Sequence, residues 1–184
     1  MALPLLMLCV TYAYAEVALP TVTVATLKYG TANWELQLMK ARGLDLQHGF
    51  QLRVHEVNSS NAASVALQAG VADVSVQDWL WVLKQRDQDR AFRFAPFSTA
   101  VGRVMVHPGS DIKALDDLTS ARFGVAGGSA DKGWKLLQVL LAQHGDAQTV
   151  TPRYAAPPLL NQLALRGDLD AVLTYWQYAA RLEA

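Results

Sequence analysis

The chain has 184 residues, 52% hydrophobic and 17% charged, with 16 basic residues against 16 acidic ones and a formal net charge of zero. That composition excludes a disordered polymer, and the interspersed charges leave no basic stripe for nucleic acid. A single cysteine, Cys9, excludes an internal disulfide framework or a cysteine-built metal site. The length suits one ordinary domain or two small ones.

The N-terminal run MALPLLMLCVTYAYAE is apolar and carries no charge before Glu16. It falls short of the about 20 apolar residues that span a membrane. It ends in Ala13-Tyr14-Ala15, a small-x-small pattern like a signal-peptidase site, although no Lys or Arg precedes the apolar stretch. Residues 1–15 therefore read as a secretory signal peptide cleaved before Glu16, against the alternative of a buried N-terminal helix or strand. Cleavage would leave a mature chain without cysteine, which suits an oxidising compartment.

Strand-like and helix-like segments then alternate. TVTVATL (21–27) alternates as a strand does, WELQLMKARG (34–43) reads as a short helix, and FQLRVHEV (50–57) alternates again. NSSNAASVALQAG (58–70) has a helix start at Ser59 or Ser60 and a stop at Gly70. VADVSV (71–76) is a short buried strand, DWLWVLKQR (78–86) a helix, and FRFAPF (92–97) strand-like. In the second half, RVMV (103–106) is a strand and HPGSDIKALDDL (107–118) a turn and short helix. RFGVA (122–126) is a strand, DKGWKLLQVLLAQHG (131–145) an amphipathic helix ended by Gly145, and TVTPRY (149–154) a strand. PPLLNQLALRG (157–167) is a helix with proline at its start and glycine at its end, followed by the buried strand DAVLT (170–174).

Two segments echo each other. GVADVSVQDWLW (70–81) and GDLDAVLTYWQY (167–178) place Gly, Asp and Trp at the same mutual spacing. Gly70, Asp73 and Trp79 thus correspond to Gly167, Asp170 and Trp176. Two α/β units built alike would each end in helix, tight turn, central strand and a loop at that strand's carboxyl end. Ligands bind at such carboxyl ends in open α/β sheets.

NSSNAASVALQAGVADVSV, VMVHPGSDIKALDDLTSARFGVAGGSADKGWKLLQVLL and LALRGDLDAVLTYWQYAA, in that order, resemble the periplasmic substrate-binding proteins of ABC importers. The resemblance is to the nitrate, sulfonate, taurine and thiamine-precursor group, and it covers about residues 20–184. It implies an α/β, two-lobed type II periplasmic binding protein-like fold, with lobe I over 16–98 and lobe II over 99–184. Members of the group continue for roughly another hundred residues, so lobe II is expected to be incomplete.

VAGGSADKGWK (125–135) joins a strand, two glycines, a serine and a helix start, an arrangement suited to an anion. Gly128, Ser129 and Ala130 are its candidate ligand contacts, and Ser129 caps the helix or donates to ligand. Asp131 competes for the same positive helix end. The segment fails as a P-loop, as a nucleophile elbow and as a dinucleotide fingerprint. The first lobe offers KYGTANW, NSSN and QDW at its three strand ends. Thr31, Asn33, Ser59, Ser60, Asn61 and Gln77 would supply neutral hydrogen bonds, and Asp78 an acid that pairs with an amine or opposes an anion. Tyr29, Trp34, Trp79 and Trp176 would supply apolar walls, core burial being the alternative for each. His48, His55, His107 and His144 lack metal-ligand spacing. Asp116 and Asp117 are expected to cap a helical turn.

These readings converge on a periplasmic, non-catalytic monomer that captures a small-molecule solute and delivers it to an ABC permease and ATPase. No cofactor and no metal are expected. The solute would be a sulfonate- or nitrate-like anion or a thiamine-precursor-like molecule. A pyrimidine-synthase-like enzyme and a periplasmic sensory or accessory domain are the alternatives on the same fold.

Overall fold

The computed structural model describes residues 18–143 and 150–184. The signal-peptide reading, Cys9, His144 and Gly145 lie outside the described residues. Two separate sheets organise the rest.

The first half carries β1 (Thr21–Leu27), α1 (Thr31–Ala41), α2 (Leu44–Gln47), β2 (Gln51–Val57), α3 (Ser60–Gln68), β3 (Val74–Ser75) and α4 (Trp79–Arg86). Its strands are parallel in the order β2-β1-β3. In the central strand β1, Val24, Ala25 and Thr26 are buried in succession, as expected where a strand is covered on both faces. Ala25, Ala63, Ala66 and Ala72 form the core beneath α3, and their small side chains bring helix and sheet close together.

The second half carries β4 (Arg103–Val106), β5 (Phe123–Ala126), α5 (Lys132–Gln143), β6 (Arg153–Ala155), α6 (Pro157–Leu165), β7 (Ala171–Thr174) and α7 (Trp176–Glu183). Its sheet runs β4-β7-β5-β6, with β4 antiparallel to β7 and the other pairings parallel. Residues of β5 and β7 alternate between two apolar layers. One gathers Phe123, Val125, Trp134, Leu137, Leu141 and Leu173, and the other Ala126, Leu160, Leu163 and Val172.

The internal echo is structural. Gly70 and Gly167 follow α3 and α6 with φ of 69° and 74°, the left-handed region that glycine enters at no steric cost. Each turn closes with the same bond: Val71 N–H donates to the Ala66 carbonyl and Asp168 N–H to the Leu163 carbonyl, both at 2.9 Å. These are the bonds of a Schellman helix stop. Three residues past each glycine, an aspartate pins the arriving strand to its neighbour. Asp73 Oδ2 accepts from Thr23 N–H at 2.8 Å, and Asp170 Oδ2 accepts from Arg122 N–H at 2.7 Å. Gly-x-x-Asp is thus a helix stop followed by a register pin, used once per lobe.

Arg122 also binds the Asp170 carboxylate directly, with Nη2–Oδ1 at 2.5 Å. That hydrogen bond, the Arg122 N–H and the guanidinium charge hold Asp170 below the usual carboxylate range. A depressed folded value contributes stability above the unfolded value, and that contribution is lost as pH falls through the folded one. Asp170→Asn is therefore expected to melt below the wild type near neutrality. The gap should close as pH drops below about 4, the ordinary aspartate value, in thermal melts across pH.

Several expected elements differ. FRFAPF is not a strand; residues 90–102 hold no regular structure. Arg86 Nε donates to the Phe92 carbonyl at 2.9 Å, using an acceptor that a sheet would need, and Pro96 lacks a donor. The short helix expected within 107–118 is a 3-10 turn at Asp116–Ser120. Asp117 lies inside this turn and does not cap it, since the turn has no side-chain cap; its Oδ2 instead accepts from Lys113 and Ala114 N–H at 2.7 and 2.8 Å, tying back the residues ahead of the turn. Helix α1 starts at Thr31, ahead of the expected 34, and β6 at Arg153.

Candidate functional site: the facing strand ends

The segments after β1 and β7 meet between the lobes through Gln177 and the Tyr29 carbonyl, and the loop after β5 packs against the β7–α7 junction at Gly127 and Tyr175. From the first lobe come Tyr29, the start of α3 at Ser59 and Ser60, and the start of α4 at Asp78. From the second come the Gly127–Asp131 turn and the β7–α7 junction at Tyr175.

Ser59 caps α3, accepting from Ala62 N–H at 3.1 Å. Ser60 follows, and its carbonyl accepts from Gln77 Nε2 at 3.3 Å. Gln77 also donates to Ser75 Oγ at 3.0 Å, so it braces the loop from inside. Asp78 caps α4, accepting from Trp81 N–H at 2.8 Å. Trp79 and Trp176 are the first residues of α4 and α7. They remain 50% and 45% exposed, so neither is a core residue. Trp34 stands exposed on α1, and Thr31 opens that helix half-buried. Asn61 is exposed on α3.

Asn33 is placed differently from the expectation. It is 5% exposed, and its Nδ2 donates to the Lys28 carbonyl at 3.1 Å and to Glu56 Oε1 at 2.7 Å. Its Oδ1 accepts from Gln37 Nε2 at 3.3 Å. Its hydrogen-bonding capacity ties β1, β2 and α1 together, and no donor remains for a solute.

The Gly-Gly-Ser turn has the expected shape but a different cap. Asp131 Oδ1 accepts from Trp134 N–H at 3.0 Å, so the aspartate, and not Ser129, occupies the positive end of α5. Ser129 and Ala130 are exposed, and Gly128 is half-buried with φ of 109°. Burial pushes the Asp131 carboxyl up; bonds from the Trp134 and Gly133 amides pull it down, and the Asp78 charge raises it again. The second carboxylate thus reaches Asp131 from the opposite lobe.

Two residues at the centre were not anticipated. The Tyr175 hydroxyl lies directly over Gly127, where an added Cβ would overlap it and would also meet Asp131 Oδ2 at 3.5 Å. Burial, then the Asp131 charge, push the phenol well above its ordinary value, so it stays a neutral donor. Gln177, buried, donates Nε2 to the Tyr29 carbonyl at 3.3 Å. The repeat carried a signal for Tyr175: it stands where the first lobe has Asp78.

No family model and no curated protein sequence matches the chain. Solved structures do. The periplasmic aliphatic sulphonate binding protein SsuA from Escherichia coli aligns with a TM-score of 0.65 at 17% identity, over 91% of this chain and 58% of its own. The alkanesulfonate-binding protein SsuA from Xanthomonas axonopodis pv. citri, bound to MOPS, gives 0.64 at 20% identity with the same coverage. The ligand binding component of an ABC-type import system from Staphylococcus aureus, with zinc bound, gives 0.56 at 15% identity over 89% and 57%. The chain thus spans less than two thirds of the length of each. Taken with the two sheets and the facing strand ends, these alignments show that the chain has the α/β fold of periplasmic solute-binding proteins of ABC import systems.

Proposed function

We propose that the chain is the extracytoplasmic solute-binding part of an ABC import system, holding a small molecule between its lobes and acting without catalysis. The observation that carries this reading is the meeting of strand carboxyl ends from two separate sheets, where Gln177 after β7 donates to the Tyr29 carbonyl after β1 at 3.3 Å. Differential contacts from both lobes would select the solute-bound state. Trp79 and Trp176, each opening a helix beside the cleft, are the proposed apolar walls, and Ser59, Ser60, Gly128 and Ser129 the proposed polar contacts. A permease and ATPase complex is the proposed recipient.

The sequence admits a sulfonate- or nitrate-like anion or a thiamine-precursor-like solute. Asp131 at the head of α5, with Asp78 opposite, favours the second, because two carboxylates oppose an anion at the Gly-Gly-Ser turn.

A thermal-shift screen with alkanesulfonates, nitrate, bicarbonate and aminopyrimidines tests the reading. A solute at a hundred times its Kd stabilises the native state by about 2.7 kcal/mol, a readily measured shift. For the solute so found, Trp176→Ala is expected to weaken binding by roughly 30-fold, the scale of an aromatic anchor, with Ser129→Ala a smaller loss, both read by calorimetry. No shift with any compound, or unchanged affinity in both variants, removes the proposed site.

A further inference from the structure

We propose that the end of α4 and the loop after it form a second site, away from the facing strand ends, that takes a phosphate-type dianion. A cavity of about 390 Å³ opens here, lined by Arg86, Asp89, Arg90, Ala91, Phe92 and Arg93. Its wall thus carries three guanidinium groups against one carboxylate. Among the described residues, none of the three arginines is ion-paired with an acid. Arg86 answers the negative end of α4; Arg90 and Arg93 lie past the helix, where that reason no longer serves.

Neutral oxygens hold two of these cations in place. Arg90 Nη1 donates to Gln68 Oε1 at 2.5 Å and to Gln85 Oε1 at 2.8 Å, and Gln85 is itself buried. Arg86 Nε donates to the Phe92 carbonyl at 2.9 Å, and the Phe92 ring is set against Trp81 with centroids 5.2 Å apart. The loop backbone is fixed as well. Asp89 takes a left-handed φ of 57°, and Arg90 N–H returns to the Gln85 carbonyl at 3.0 Å. The two guanidinium groups are therefore oriented without being neutralised, and donors already in position cost little to order on binding. Each keeps further N–H groups, and a planar fork matches phosphate oxygens two at a time. The Arg93 side chain has no partner among the described residues, so its charge is open to a ligand. A bound dianion would tie α4 to Arg93, near the start of the irregular 90–102 stretch between the sheets.

The test is an amide NMR titration of the full chain with inorganic phosphate at about 0.15 M salt, where loose surface attraction is screened. Saturable shifts concentrated at residues 85–93 are expected. Arg93→Gln, which breaks no contact within the chain, should weaken binding by about 5-fold, the scale of one exposed ion pair. Arg90→Lys should weaken it as well, because the charge stays and the fork is lost. Asp89→Asn should tighten it by about 2-fold, since it removes the one charge of the ligand's own sign. Shifts that never saturate, that centre on residues 127–131, or that no variant alters overturn the site. Co-sedimentation with phosphatidylglycerol vesicles that Arg93→Gln abolishes, without saturable phosphate binding, would assign the arginines to a lipid surface and overturn it equally. Failure here leaves the solute-binding reading standing, and an empty solute screen leaves this site standing.

Discussion

Phe123→Ala is expected to lower the unfolding free energy by about 3–5 kcal/mol, the cost of removing a buried aromatic ring and leaving a cavity. Phe123 is 1% exposed. It begins β5 and packs against Trp134 with ring centroids 6.0 Å apart, inside the layer of Val125, Leu137, Leu141 and Leu173. A domain's whole margin is about 5–15 kcal/mol, so the variant should unfold at a much lower urea midpoint with a similar slope. Phe94, exposed in the irregular 90–102 stretch, is the control. The same truncation there should change stability by no more than about 0.5 kcal/mol. Equal losses at both positions would contradict the core assigned to the second lobe.

Gly127→Ala is the second large effect, and it acts in two ways. A non-glycine residue held at a φ of 86° costs roughly 1–3 kcal/mol. The new Cβ also displaces the Tyr175 hydroxyl. The two contributions separate in a double-mutant cycle with Tyr175→Phe. In that background the dihedral cost persists while the displacement cost is largely gone, so Gly127→Ala should be less damaging. Purely additive losses in urea unfolding would show that Tyr175 does not fill the space above Gly127.

The parts of this fold that were legible in the sequence are those whose bonds run between neighbours. Gly70 and Gly167 stop their helices through carbonyls a few residues back, and Asp73 and Asp170 sit at a fixed step beyond them, so the echo could be read from spacing alone. The helix starts at Ser59 and Asp78 are local for the same reason. The buried role of Asn33 depends on Glu56, a partner in a different strand, which spacing along the chain does not show. The Gln177–Tyr29 bond joins residues 148 apart, and no local pattern announces it. Tyr175 carries no turn or cap chemistry of its own; only the comparison with Asp78 marks it. FRFAPF failed in the opposite direction. Its alternating aromatics satisfy the period of a strand, but a strand also needs its own backbone groups free for a neighbour, and Arg86 takes the Phe92 carbonyl.

Among the described residues the polypeptide passes from one sheet to the other once, along 90–102. Irregular backbone of this kind permits twisting as well as bending. Side-chain contacts between the halves, such as Gln177 on the Tyr29 carbonyl, therefore share in setting their mutual orientation. Loss of one such amide contact lets one half turn against the other through backbone that holds no ladder bonds to strain.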